Sequence, residues 1–167
     1  MKSLAVALVL FAAACGPGSP GGPSMGHMGG GPDATPQSSP VASSDILARE
    51  PLSNTAVVKH ILISWKDLED AFSGHQDARA QARTKAQAEA EVKSLVGQLA
   101  AGADFETLMK ASSEDVGSAQ SNRPFTVTPD AALVIEFRQL SLRLNVGEVG
   151  VVQSDFGFHI IKRYPNN

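Results

Sequence analysis

Cysteine is nearly absent from this chain. Cys15 stands alone, so no disulfide can close within one molecule and the fold must rest on packing. A basic excess is missing too. Seventeen Asp and Glu outnumber fourteen Lys and Arg, and no basic stripe runs along any segment, which excludes nucleic acid as a partner. There is no internal repeat, and no apolar run approaches the ~20 residues needed to span a bilayer as a helix. The longest such run, Leu4 to Ala14, follows Met1-Lys2-Ser3 and ends on small residues. A positive start, a short apolar stretch and a small-residue exit describe an export signal over residues 1–14.

What is present begins with the placement of the lone cysteine. Ala12-Ala13-Ala14-Cys15-Gly16 resembles a bacterial lipobox, which implies that Cys15 is lipid-modified and becomes the mature N-terminus. Gly16 rather than Asp after the cysteine leans, by the same resemblance, toward an outer-membrane destination facing the periplasm. Beyond it the chain is Gly, Pro and Ser with almost no large apolar residues as far as Ser44. Such a stretch cannot bury enough surface to offset its ordering entropy, and residues 15–55 are expected to form a disordered linker. At about 40 residues its r.m.s. reach would be ~35 Å. Met25-Gly26-His27-Met28 carries soft-metal donors, but one imidazole and two thioethers in a glycine tract read as linker, and no metal site is assigned.

From Ala56 the composition turns globular, and residues 56–167 are expected to form one domain with one modest core. Ala56-Val57-Val58-Lys59-His60-Ile61-Leu62-Ile63-Ser64 is a β-branched strand. Trp65 to Gln76 is polar and acidic, a loop. Asp77 to Ala101 is helical, with Ala88, Val92, Leu95, Val96 and Leu99 at helical spacing. Gly102 ends that helix, and Asp104 caps a shorter one that buries Phe105, Leu108 and Met109. The polar stretch Ser112–Ala119 is expected as a loop, and Phe125–Val127 as a short strand. Thr128-Pro129 should open a helix burying Leu133, Phe137 and Leu140. Asn145–Gly150 turns into the strand Val151–Gln153, and Ser154–Arg163 closes the domain as a last strand. The order β-α-α-β-α-β-β predicts an α+β fold with helices on an antiparallel sheet.

Two histidines stand out. Alternation puts His60 on one face with Val58 and Leu62, and His159 on one face with Gly157 and Ile161. A neutral imidazole among apolar neighbours must find hydrogen-bond partners. Either alone reads as a satisfied core residue. The pair, one near each end of the domain, raises the question of what lies between them.

Several motifs in order then resemble the parvulin-type peptidyl-prolyl isomerases. They are Val58–Leu62, Gly102–Leu108, Ser113-Glu114-Asp115 with Gly117-Ser118-Ala119, Phe137, Val146–Val149 and Phe156–Lys162. The resemblance spans about Val57 to Arg163 and implies a four-stranded antiparallel sheet with about three to four surrounding helices. It implies a bacterial lipoprotein that isomerises X–Pro bonds of unfolded or partly folded exported polypeptides, without cofactor or metal. In that family His60 and His159 would be hydrogen-bonded at the floor of a proline pocket, with Asp115 and Ser154 beside them. Phe137 would form the aromatic wall, and Leu133, Leu62 and Phe156 would complete the lining. Three departures accompany it: Gln120–Phe125 replaces a glycine-rich stretch, Leu133 replaces a usual Met, and the Phe125–Phe137 segment is longer. The alternative from another class is a chaperone or adaptor that holds extended chains in the same groove. A metal site of His60, His159 and Asp115 lacks further ligands on the apolar strand faces. The acidic loop after the first strand predicts no dependence on phosphorylated substrates. Oligomeric state and client identity are not encoded in any motif.

Overall fold

A computed structural model describes residues 39–166. The expected signal segment, Cys15 and most of the expected linker lie outside the described residues. Four strands form one antiparallel sheet: β1 (Ala56–Ile63), β2 (Phe125–Val127), β3 (Val149–Ser154) and β4 (Gly157–Tyr164), in the order β2-β1-β4-β3. The helices are α1 (Ser44–Leu47), α2 (Ala78–Gln81), α3 (Lys85–Ala100), α4 (Phe105–Ser112), α5 (Val116–Ser121) and α6 (Ile135–Ser141). This is the α+β, helix-flanked antiparallel sheet expected.

β1 and β4 are central and apolar on both faces because each face meets its own helical layer. Ile61, Ile63, Phe158 and Ile160 pack with Val92, Leu95, Phe105 and Met109 of α3 and α4. Val58, Val152 and Ile161 pack on the other side with Phe137 and Leu140 of α6 and with Ile46 of α1. Removing each large apolar side chain from water contributes ~1.5–3 kcal/mol, so these layers supply most of the driving force.

The closing strand is in fact a hairpin arm. Ser154 pairs with Gly157 across the two-residue turn Asp155-Phe156, and β4 starts only at Gly157. Gly157 has φ 132°, and a Cβ there would lie 2.6 Å from the Ile63 carbonyl oxygen. Only glycine allows β4 to begin this close to the end of β1.

Helix boundaries depart from expectation where capping chemistry intervenes. The helix expected over Asp77–Ala101 is broken: Asp77 caps the short α2, and Thr84 with Gln87 forms a reciprocal capping box that starts α3 afresh. The acidic loop contains a 3₁₀ turn, Lys66–Phe72, and the polar Ser112–Ala119 segment contains the start of α5. Thr128-Pro129 does not open a helix. The Thr128 hydroxyl bonds the Asp130 carboxylate rather than a backbone amide, and α6 starts six residues after Pro129, at Ile135. Leu133 therefore precedes the helix instead of riding on it.

Residues 39–55, expected as the end of the linker, pack on the domain. Ser43 exchanges hydrogen bonds with Val151 at 2.9 and 3.0 Å, Ile46 is buried, and Arg49 forms a bidentate pair with Glu148 at 2.8 and 2.9 Å. The Gly- and Pro-rich stretch before it concealed this strap, whose anchors are single residues spaced along a mixed segment.

Candidate active site

The β1–β4 register builds the site. His60 stands opposite Ile161 and Leu62 opposite His159, so the two histidines are diagonal neighbours on the same face, the one that carries α6. Their Nδ1 atoms are 3.1 Å apart and their ring planes are inclined by only 17°. His60 Nε2 lies 2.9 Å from Asp115 Oδ2, and His159 Nε2 lies 2.8 Å from Ser154 Oγ. Four residues from four parts of the chain thus form one line: Asp115, His60, His159, Ser154.

The proton positions follow from the donor inventory. An ionised carboxylate only accepts, so His60 Nε2–H donates to Asp115. With neutral rings, His60 Nδ1 then accepts from His159 Nδ1–H, and the Ser154 hydroxyl donates to His159 Nε2. Ser154 Oγ in turn accepts from the Phe156 amide at 3.1 Å. Every bond in the line points the same way, and no buried ring nitrogen is left without a partner.

Charge sits at one end. The hydrogen bond from His60 chiefly, with two from Ser118, holds the Asp115 carboxyl well below the usual carboxylate range, against the opposing effect of burial. Burial pushes the His159 imidazole down to about 3, with the neighbouring His60 ring acting in the same direction. Asp115 does two jobs at once. Its Oδ1 caps α5 through the Ser118 amide at 3.2 Å while its Oδ2 faces His60, and the Ser118 hydroxyl reaches Oδ2 at 2.5 Å. One side chain thus caps α5 and also faces His60.

Above the histidines is a hollow of about 220 Å³, lined by His60, Asp115, Phe125, Ala132, Leu133, Val134, Phe137, Phe156 and His159. Its volume is several times the ≈ 30 Å³ share of one water, and its walls are mostly apolar. Phe137 and Phe125 each set an edge against the His60 ring, with centroids 5.2 and 5.3 Å away. Phe137 also meets His159 edge-on at 5.5 Å. Phe156, in the hairpin turn, is braced by Phe72 of the 3₁₀ turn at 5.5 Å. Of the residues expected to line a pocket, Leu133, Phe137 and Phe156 do so. Leu62 does not: it is buried on the same sheet face but beside Ser113, to whose hydroxyl its amide donates at 3.1 Å. Phe125 and Val134 were not anticipated. Phe125 had been assigned only to a strand, although its neighbour on β1, two residues from His60, could have suggested it.

Residues 44–164 match the PPIC-type PPIase domain family. The chain belongs to that family. Among its curated relatives is the foldase protein PrsA of Geobacillus kaustophilus, 30% identical over 112 residues, a span of 66% of this chain and 40% of that protein. The chaperone SurA of Saccharophagus degradans is 36% identical over 78 residues, 46% of this chain and 18% of that one. The chain thus spans less than half the length of these relatives. The solution structure of TbPIN1 superposes with a TM-score of 0.57 at 22% identity, covering 68% of this chain and all of that one, which supports the PPIase-type fold.

Proposed function

We propose that this PPIC-type domain catalyses cis–trans rotation of X–Pro bonds in exported polypeptides, with the prolyl ring seated against Phe137, Phe125 and Leu133. The observation that carries the reading is the aligned Asp115–His60–His159–Ser154 line at the floor of an apolar hollow. Rotation must cross a barrier of roughly 18–20 kcal/mol that comes from amide resonance. The two isomers differ by only about 0.5–1 kcal/mol, so no energy input is required. Resonance separates charge across the planar amide, and the twisted state has less of it. A water-excluding pocket that grips the ring therefore favours the twisted state.

In this scheme no covalent bond to the protein forms. His60 and His159 keep the floor rigid and polar in one direction, and Asp115 supplies a fixed negative field at its open end. Ser154 anchors the far imidazole. The charged group among the lining residues is Asp115, with no Lys or Arg to hold a phosphate dianion, which supports unphosphorylated X–Pro substrates.

The export pattern of residues 1–14 and the lipobox-like Ala12–Gly16 support a lipid anchor at Cys15 and action at the cell envelope, on the periplasmic face of an outer membrane. Mass spectrometry of the mature N-terminal peptide should show a lipidated Cys15; an unmodified cysteine would remove the anchor. A protease-coupled assay over a panel of X–Pro peptides tests the activity itself. Acceleration above the buffer rate is expected, and a folded protein without it would leave only a chain-holding role.

A further inference from the structure

Asp115 is placed by its neighbour. β2 pairs with β1 only as far as Val58, so the far half of β1 needs other partners along that edge. Ser113 and Glu114 supply them. The Leu62 amide donates to Ser113 Oγ at 3.1 Å, the Glu114 amide donates to the Leu62 carbonyl at 2.9 Å, and the Ser64 amide donates to Glu114 Oε2 at 2.6 Å. The Glu114 side chain is only 1% exposed, and its other oxygen accepts from Arg83 Nη1 at 2.5 Å. The same Arg83 nitrogen donates to the Ser64 carbonyl at 2.9 Å, while its second arm meets the more exposed Glu91 at 2.7 Å. One turn earlier, Arg79 donates to the Ser113 carbonyl at 3.0 Å and is itself oriented by Asp77.

A buried ion pair is a poor source of stability, since well-packed apolar residues of similar volume often replace it without loss. Its value lies in geometry. Glu114 is held through both its backbone amide and its carboxylate, and the next residue is the one that faces His60. None of Arg83, Glu114 or Glu91 lines the hollow.

We propose that Arg83 and Glu114 are positioning residues for the isomerase site: the pair fixes where the Asp115 carboxylate meets His60 Nε2, and through it the single direction of the histidine line. Its kinetic consequence rests on the isomerase reading; its spectroscopic consequence does not.

The test uses the full chain and three variants: Glu114→Gln, Glu91→Gln and Val92→Ala. Glu114→Gln keeps the shape and an acceptor for Ser64 but loses the charge that orders Arg83. Glu91→Gln disturbs only the outer arm of Arg83. Val92→Ala opens the opposite core and lowers the urea midpoint without touching the site. Imidazole ¹⁵N shifts report the tautomers directly, and isomerisation kinetics are measured alongside. Glu114→Gln should move His60 and His159 from one tautomer to a mixture and lower kcat/KM roughly tenfold. Glu91→Gln and Val92→Ala should leave tautomers and the activity per folded molecule near wild type. Unchanged tautomers in folded Glu114→Gln, or an equal tautomer change in Val92→Ala, would overturn the proposal. If wild type shows no isomerase activity but the tautomers shift as described, the positioning role stands and the isomerase reading fails.

Discussion

The two faces of the central strands are built from alternate residues of the same segments, yet they do different work. On one side Ile61, Ile63, Phe158 and Ile160 meet α3 and α4 with the strand side chains fully buried. On the other, positions of the same strands carry His60 and His159, and α6 leaves a hollow over them. Over β1 and β4 the first face is closed, because dense packing is its whole contribution there, and the hollow on that side, about 330 Å³, lies at the edge between α3 and β3. The second face accepts a gap because the two imidazoles beneath it are satisfied in a line. Stability and site are thus separable by a shift of one residue along β1 or β4, and substitutions on the two faces should separate them experimentally.

The largest effect is expected on the closed face. Phe158→Ala removes a fully buried ring and should lower the unfolding free energy by about 3–5 kcal/mol, measured by urea titration. On the site face, His159→Asn should reduce isomerisation more than tenfold and also change the pH dependence of stability. Burial places the folded His159 at about 3, against 6.5 for the free side chain. Between those values only the unfolded chain binds the proton, so stability rises with pH across the window, is fully present above 6.5 and is lost as pH falls. A urea midpoint followed from pH 7 to pH 4 should drop less steeply in His159→Asn.

Asp115→Asn sharpens the contrast within one residue. Asn caps helices about as well as Asp, so α5 should persist, while loss of the charged partner of His60 should lower stability by about 1.5–3 kcal/mol near neutral pH. Activity should also fall by roughly tenfold, about 1.4 kcal/mol of barrier. The folded-state carboxyl is depressed, so its stabilising contribution is present above its unfolded value of 3.8 and is lost only at more acid pH. The smallest effect belongs to Leu133→Met, a volume-conserving change on the pocket wall that should shift stability by less than ~1.5 kcal/mol. Peptide kinetics should stay within about twofold of wild type.

Much of this architecture is legible in the residues themselves. Period-two patterning identified β1 and β4 and put each histidine on an apolar face, and the resemblance joined them. Asp104 and Gly102 marked helix ends because capping chemistry is local. What escaped notice depends on partners far away in sequence. Ser113 and Glu114 pass for loop until β1 is known to lack a neighbour there. The resemblance implied Leu62 for the pocket; its strand parity does put it on the site face but does not fix how far along the strand the hollow extends. Ile46 and Arg49 anchor a strap whose flanking composition reads as linker. The Thr84–Gln87 capping box is the opposite case, a local signal overridden by the continuous helical spacing read over Asp77–Ala101.

The most direct test is exchange NMR on an unphosphorylated Ala–Pro peptide, with catalytic amounts of the full chain and of His159→Asn. The account predicts cis–trans exchange well above the buffer rate for wild type, reduced more than tenfold in the variant while its fold persists. Equal rates for the two proteins, or wild-type exchange no faster than buffer, would contradict it.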